Sequence, residues 1–173
     1  MKKIPILITS TANPHVKFFY HDLVSSGLYE LQALADRDPK RLAEAEAWFK
    51  PFKKRPAFYR NWRDMLSKHP DAEAVMVGSA NRHHCEETLA AAEMDKHVLS
   101  MKVLSMDEKE CQAMIARLRQ KKKVLGQELE LRFHPQYRQV RKQIQSGALG
   151  KILGIYLSNI SQSPICYYPD WGD

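Results

Sequence analysis

The stretch Ile4-Pro5-Ile6-Leu7-Ile8-Thr9-Ser10-Thr11-Ala12-Asn13-Pro14-His15 reads as a strand, a tight turn and the opening of a helix. An almost unbroken apolar run from Ile4 to Ile8 suits a strand covered on both faces. Asn13 and Pro14 have the character of an N-cap and a first helical position. Val16, Phe19, Tyr20, Leu23 and Val24 then recur at helical spacing, and Gly27 ends the helix. Leu28 to Ala35 reads as a second strand, closing on Asp36. Strand, helix and strand in this order form a βαβ unit, whose crossover is right-handed and whose strands are parallel.

The alternation continues outward from this unit. Asp38-Pro39 opens a helix with Leu42, Ala45 and Phe49 on one face, and Ala57 to Tyr59 suits a short strand. Asn61 caps a helical turn carrying Trp62, Met65 and Leu66. Ala74 to Gly78 is the next buried strand, Arg82 to Met94 a helix, and His97 to Ser100 a strand. Ser105 and Glu108 match a capping box ahead of the stripe Cys111, Met114, Ile115 and Leu118. Val124 to Leu131 is expected as strand, and Pro135 to Gln145 as a helix burying Val140 and Ile144. Ile152 to Ile160 alternates like the first strand of something new. The expected class is α/β: a Rossmann-type doubly wound parallel sheet, with only the start of a second α+β domain. Residues 1–150 are assigned to the nucleotide-binding domain and 151–173 to the beginning of the second.

Composition narrows the function classes. The 173 residues are 44% hydrophobic and 27% charged, as in ordinary globular proteins, with a net charge of +7. The basic residues are dispersed over Lys50 to Arg63, Arg117 to Lys123 and Arg132 to Lys142. They read as solvated helix faces, and without interleaved aromatics a nucleic-acid partner is not expected. No apolar run approaches a membrane span, and the apolar run after Lys3 is too short for a signal peptide, so a cytoplasmic setting is expected. Cys85, Cys111 and Cys166 form no disulfide framework. His83-His84-Cys85 point about 100° apart on a helix and cannot readily share one ion, so no metal is expected. Tyr167, Tyr168 and Trp171 read as a packing surface for another domain or a second copy of the chain.

In sheets of this kind ligands bind outside the carboxyl ends of the strands, where strand order reverses. Thr9 to His15, Asp36-Arg37, Ser79 to His84 and Ser100 to Val103 lie at such ends. Asp36 stands where a carboxylate accepts hydrogen bonds from the adenosine ribose and repels a 2′-phosphate, which favours NAD; Arg37 beside it can instead pair with that phosphate of NADP. A solvated loop acid ahead of Asp38-Pro39 is the plainer alternative. The first turn has no glycine: Ser10, Ala12 and His15 are its equivalents of G-x-G-x-x-G. Its expected assets are free N–H groups at the helix N-terminus and side-chain donors from Ser10, Thr11 and Asn13.

Several stretches together resemble the glucose–fructose oxidoreductase, inositol dehydrogenase and MocA-type (Gfo/Idh/MocA) oxidoreductases. They are Ala35-Asp36-Arg37-Asp38-Pro39, Asp71 to Val75 leading to Ser79-Ala80-Asn81-Arg82-His83-His84, Lys96 to Val103, and Ser146-Gly147-Ala148-Leu149-Gly150-Lys151. The resemblance implies that Ser79, Asn81 and His84 lie against the nicotinamide side. It also implies that Lys102, flanked by Met101 and Val103 in place of a glutamate and a proline, is the catalytic lysine that positions substrate or assists proton transfer. Arg132-Phe133 resembles a segment bordering that site. The implied function is the dinucleotide-binding part of an oxidoreductase for a sugar, polyol or related hydroxy or keto compound, with NAD, or possible NADP, as cofactor and a possible homodimer. A non-catalytic Rossmann module binding a nucleotide or a protein partner is the alternative.

Overall fold

The computed structural model describes residues 2–158 and Ile160. Tyr167, Tyr168 and Trp171 lie outside the described residues. Six strands form one sheet: β1 Ile4–Ile8, β2 Tyr29–Ala35, β3 Ala57–Tyr59, β4 Ala74–Val77, β5 His97–Ser100 and β6 Leu125–Gln127. The helices are α1 His15–Ser25, α2 Pro39–Trp48, α3 Trp62–Lys68, α4 His84–Glu93, α5 Glu108–Gln120 and α6 Pro135–Gln145. All strand pairs are parallel, in the order β3-β2-β1-β4-β5-β6. This is the doubly wound order, and it reverses between β1 and β4.

Alternation along the strands divides the core into two layers. Leu7, Val75 and Val77 face one way and pack with Trp62, Met65 and Leu66 of α3, Ala91 and Ala92 of α4, and Leu118 of α5. Ile6, Ile8 and Met76 face the other way, onto Val16 of α1 and Leu42 and Ala45 of α2. Burial on both faces explains why β1 reads as a continuous apolar run. Local chemistry sets the helix starts. The Asp38 carboxylate accepts from the Lys40 N–H at 2.7 Å with Pro39 in the first turn, and Asn61 Oδ1 accepts from the Arg63 N–H at 2.9 Å. The cap of α5 differs from the expected Ser105–Glu108 box: Asp107 accepts from the Lys109 N–H at 2.8 Å, and the Ser105 hydroxyl instead donates to Glu110. Asp107, directly before the helix, is the better-placed acceptor.

The chain divides into two compact units, Met1–Gln127 and Glu128–Asp173. The first holds the complete sheet and α1 to α5. The second holds a 3-10 turn, Glu130–Phe133, and α6. The expected strand from Val124 to Leu131 is therefore cut to β6, because the turn begins soon after Gln127. No residue of α6 is buried, so Val140 and Ile144 are exposed rather than covered. Residues 152–158 are likewise outside any strand. Alternating apolarity makes a strand only where another strand takes its N–H and C=O groups, and these residues have no ladder partner among the described ones.

Candidate functional site

The turn between β1 and α1 lies at the switch point and is tied down on both sides. The Thr9 N–H donates to the Met76 carbonyl at 3.0 Å, and the Asn13 N–H to the Gly78 carbonyl at 2.9 Å, so the turn is laced to the end of β4. Gly78 makes this approach possible. A Cβ there would lie 2.2 Å from the Ser10 carbonyl oxygen and 2.5 Å from Val16 Cγ2. The close packing that a fingerprint glycine normally gives to the turn itself is supplied from the neighbouring strand.

The expectation of free N–H groups at the start of α1 is corrected by the structure. Thr11 N–H donates to Asp36 Oδ2 at 2.8 Å, Ala12 N–H to Ser10 Oγ at 3.1 Å, and His15 N–H to Asn13 Oδ1 at 3.0 Å. With Asn13 N–H on Gly78 and no N–H on Pro14, every backbone N–H of the turn from Thr11 to His15 has an acceptor inside the protein. A turn without glycine is built from side chains that cap their own backbone, and that is where the donors go. Two of the acceptors, Ser10 Oγ and Asn13 Oδ1, sit on rotatable side chains. Turning them aside would leave the Ala12 and His15 N–H groups open to another acceptor.

Asp36 is the hub of the same turn and differs most from its expected role. Its buried carboxylate accepts from the Ser10 hydroxyl at 3.0 Å, the Thr11 hydroxyl at 3.0 Å, and the Thr11 N–H. It also accepts from the Asp38 N–H at 2.9 Å and from Arg41 Nε at 3.2 Å. The carboxylate thus braces the first turn against the start of α2. Arg37, the next residue, is exposed, and its carbonyl accepts from the Arg60 guanidinium at 2.9 Å.

Across the switch point, β4 leads into Ser79-Ala80 and a 3-10 turn, Asn81–His83. Ser79 is buried. Asn81 Oδ1 is also buried and has no donor among the described residues. His84 is fully buried, with Nδ1 2.7 Å from the Val103 carbonyl and Nε2 3.0 Å from the Ser79 carbonyl. It therefore pins the segment after β4 to the segment after β5, and its ring is not presented to a ligand. Lys102 lies in the pinned segment, half-buried. The structure thus brings Ser10 to His15, Asp36-Arg37, Ser79 to His84 and Lys102 to the carboxyl ends of the strands of the first unit, as expected from sequence.

Glu87 was not singled out from the sequence. It is buried in the first turn of α4, and the Thr9 hydroxyl donates to its Oε2 at 2.5 Å. Burial pushes its carboxyl up to about 7, with the hydrogen bond from Thr9 pulling the other way. The signal was available: His84, Glu87, Thr88, Ala91 and Ala92 form the buried stripe of α4 at helical spacing, and an acid on such a stripe is out of pattern.

For a dinucleotide, the relevant observation is that Asn81 Oδ1 is one of several buried side-chain atoms without a partner among the described residues, and the one at the switch point that can only accept. A buried carbonyl without a donor costs free energy unless a ligand or water supplies one. Asn81 Oδ1 is such an acceptor at the switch point and suits an amide or hydroxyl donor.

Residues 11–129 match a family described as an oxidoreductase family with an NAD-binding Rossmann fold, Gfo/Idh/MocA. Among curated proteins, D-glucoside 3-dehydrogenase of Escherichia coli (strain K12) is 32% identical over 143 residues, covering 83% of this chain and 38% of that protein. Levoglucosan dehydrogenase of Pseudarthrobacter phenanthrenivorans is 31% identical over 136 residues, covering 77% and 34%. The chain thus spans less than half the length of these relatives. Scyllo-inositol dehydrogenase of Lactobacillus casei, solved with NAD(H) and scyllo-inositol, superposes with a TM-score of 0.76 at 23% identity, over 87% of this chain and 43% of that one. A 3-ketoreductase of Actinomadura kijaniata, solved with NADP, superposes with a TM-score of 0.74 at 25% identity, over 87% and 45%.

Proposed function

The chain belongs to the Gfo/Idh/MocA oxidoreductase family, and we propose that it is the cofactor-holding part of an oxidoreductase acting on a sugar, polyol or related hydroxy or keto compound. The relatives named for glucosides, levoglucosan and inositols support the substrate class. The observation that carries the reading is the buried Asn81 Oδ1, without a donor among the described residues, at the point where strand order reverses. A bound nicotinamide dinucleotide supplies the hydride chemistry; the chain's own residues hold and orient it. Ser10 to His15 take the diphosphate, with Ser10 and Asn13 releasing the Ala12 and His15 N–H groups. Ser79 and Asn81 border the nicotinamide, and His84 keeps their loop fixed to the segment carrying Lys102. Lys102 is the residue for substrate positioning or proton transfer. Residues 151–173 are the beginning of the domain that meets the substrate.

Calorimetric titration with NADH and NADPH tests this reading. Saturable binding at submillimolar concentration is expected, and Asn81→Leu, which removes the acceptor, is expected to weaken it by about tenfold. Absence of binding by either dinucleotide at millimolar concentration would move the chain to the non-catalytic class.

A further inference from the structure

Three runs of the chain are rich in lysine and arginine, and acids offset two of them. In the first, Lys54 pairs with Glu30 and Arg63 with Glu86. In the second, Arg117 and Lys121 stand i, i+4 at the end of α5 and meet Glu93 and Asp95. The third is different. Between Leu131 and Pro169 the sequence carries Arg132, Arg138, Arg141, Lys142 and Lys151 and no aspartate or glutamate. Among the described residues, Arg138, Arg141 and Lys142 form no ion pair.

That arrangement has a cost. Arg138 lies three and four residues before Arg141 and Lys142, so like charges crowd one face of α6. Arg138 also stands near the positive end of the helix dipole, where a cation is disfavoured; Lys142, in the last turn, gains from the dipole. Tyr137, Val140 and Ile144 recur on a neighbouring face, so covering the apolar side leaves the basic stripe open. An anion seated on the stripe relieves the repulsion that Glu93 and Asp95 relieve on α5.

The stripe is also one wall of a groove of about 780 Å³. Gln145 continues it, and Arg132 and Phe133 of the 3-10 turn form the other wall. All of these residues are exposed, so the guanidinium groups can turn onto a ligand without unpacking a core. A phosphomonoester brings a double negative charge and three acceptor oxygens, which guanidinium forks take in charge-assisted hydrogen bonds. Phe133 adds an apolar ring face, and the Gln139 and Gln145 amides both donate and accept. A ring face and amides beside cations suit the C–H face and the hydroxyls of a sugar. A polynucleotide would need several rings for successive bases, and Phe133 is the one ring among the described lining residues.

We propose that this groove of the second unit binds a small sugar phosphate, with Arg138, Arg141 and Lys142 holding the phosphate and Phe133 the sugar ring. The site is built from the 3-10 turn and α6 alone and does not depend on the dinucleotide reading.

The test is calorimetric titration of the 173-residue chain, at fixed ionic strength, with glucose 6-phosphate, inorganic phosphate and glucose. Glucose 6-phosphate is expected to saturate one site at submillimolar concentration, about tenfold more tightly than inorganic phosphate, with no binding of glucose. Arg141→Gln is expected to weaken it about tenfold, with helix content by circular dichroism kept because the change relieves repulsion. Phe133→Ala should weaken glucose 6-phosphate and leave inorganic phosphate unchanged. Equal affinity for the two phosphates, or an Arg141→Gln variant that binds as well as the wild type, overturns the proposal. So does displacement of the sugar phosphate by NADH, which would put it in the cofactor site. Tighter binding of a single-stranded oligonucleotide also overturns it and assigns the face to a polynucleotide.

Discussion

Glu87 and Asp36 are both buried acids, and their surroundings give them opposite characters. Asp36 is surrounded by donors and an arginine. Glu87 has the Thr9 hydroxyl and a neighbouring Glu86, with Arg37 as its favourable charge, and burial raises its carboxyl from 4.5 to about 7. The native state therefore binds more protons than the unfolded chain between those values, so folding stability falls as pH rises through this window and levels off above it. A rise of this size corresponds to about 3 kcal/mol. Glu87→Gln keeps the shape and removes the titration. Urea unfolding at pH 5 and pH 8 is expected to show the stability difference between the two pH values altered by about that amount in the variant. An unchanged difference would mean that Glu87 stays charged in the folded protein. Asp36 also marks how far side-chain roles can be read in advance. Its position at the end of β2 was legible from spacing, but the direction of its carboxylate depends on Ser10, Thr11 and Arg41, which only the folded turn brings to it.

Elements were legible where one periodicity dominates and illegible where the outcome depends on a partner. β1, α1, α2 and β4 follow from apolar patterning and caps, since each is decided by residues within a turn or two. β6 and residues 152–158 carry strand-like composition, but strand formation needs a neighbour, and the sequence does not state whether one is present. The lacing of the first turn to β4 was illegible for the same reason. The glycine that matters for it, Gly78, is far from the turn in sequence and lies at the end of another strand. Gly78→Ala is expected to push the turn off β4, because the added Cβ would overlap the Ser10 carbonyl and Val16 Cγ2. Backbone and a buried branched side chain yield poorly, so a loss of about 3 kcal/mol is expected, with weakened dinucleotide binding alongside. Gly126→Ala is the matched control in β6. Its Cβ would meet Leu99 Cδ1 at 3.3 Å, a side-chain end that can shift, and the expected loss is under about 1 kcal/mol. Equal losses in the two variants, measured by urea unfolding, would show that the close approach of turn and strand is not what Gly78 provides.

The first unit carries a complete sheet and one side of a site, and this shapes what the chain does by itself. The segments after β1, β2, β4 and β5 offer the elements for holding a dinucleotide, and Lys102 stands with them. Hydride transfer asks for more: the nicotinamide carbon and the substrate carbon must be held in near-attack geometry with water largely kept out. Every side chain assigned here to that end of the site comes from the same ends of one sheet, which forms a floor and not an enclosure. Lys102 has Met101, fully buried, and Val103 as its chain neighbours. The relatives that carry dehydrogenase names are more than twice as long as the stretch matched here. Binding and turnover should therefore separate. The purified 173-residue chain is expected to take up NADH or NADPH yet give no sustained change in nicotinamide absorbance with a panel of sugars, polyols and their keto forms. Sustained turnover would refute this, and a turnover rate that rises more steeply than protein concentration would identify the cause: association of copies that closes the site from the other side.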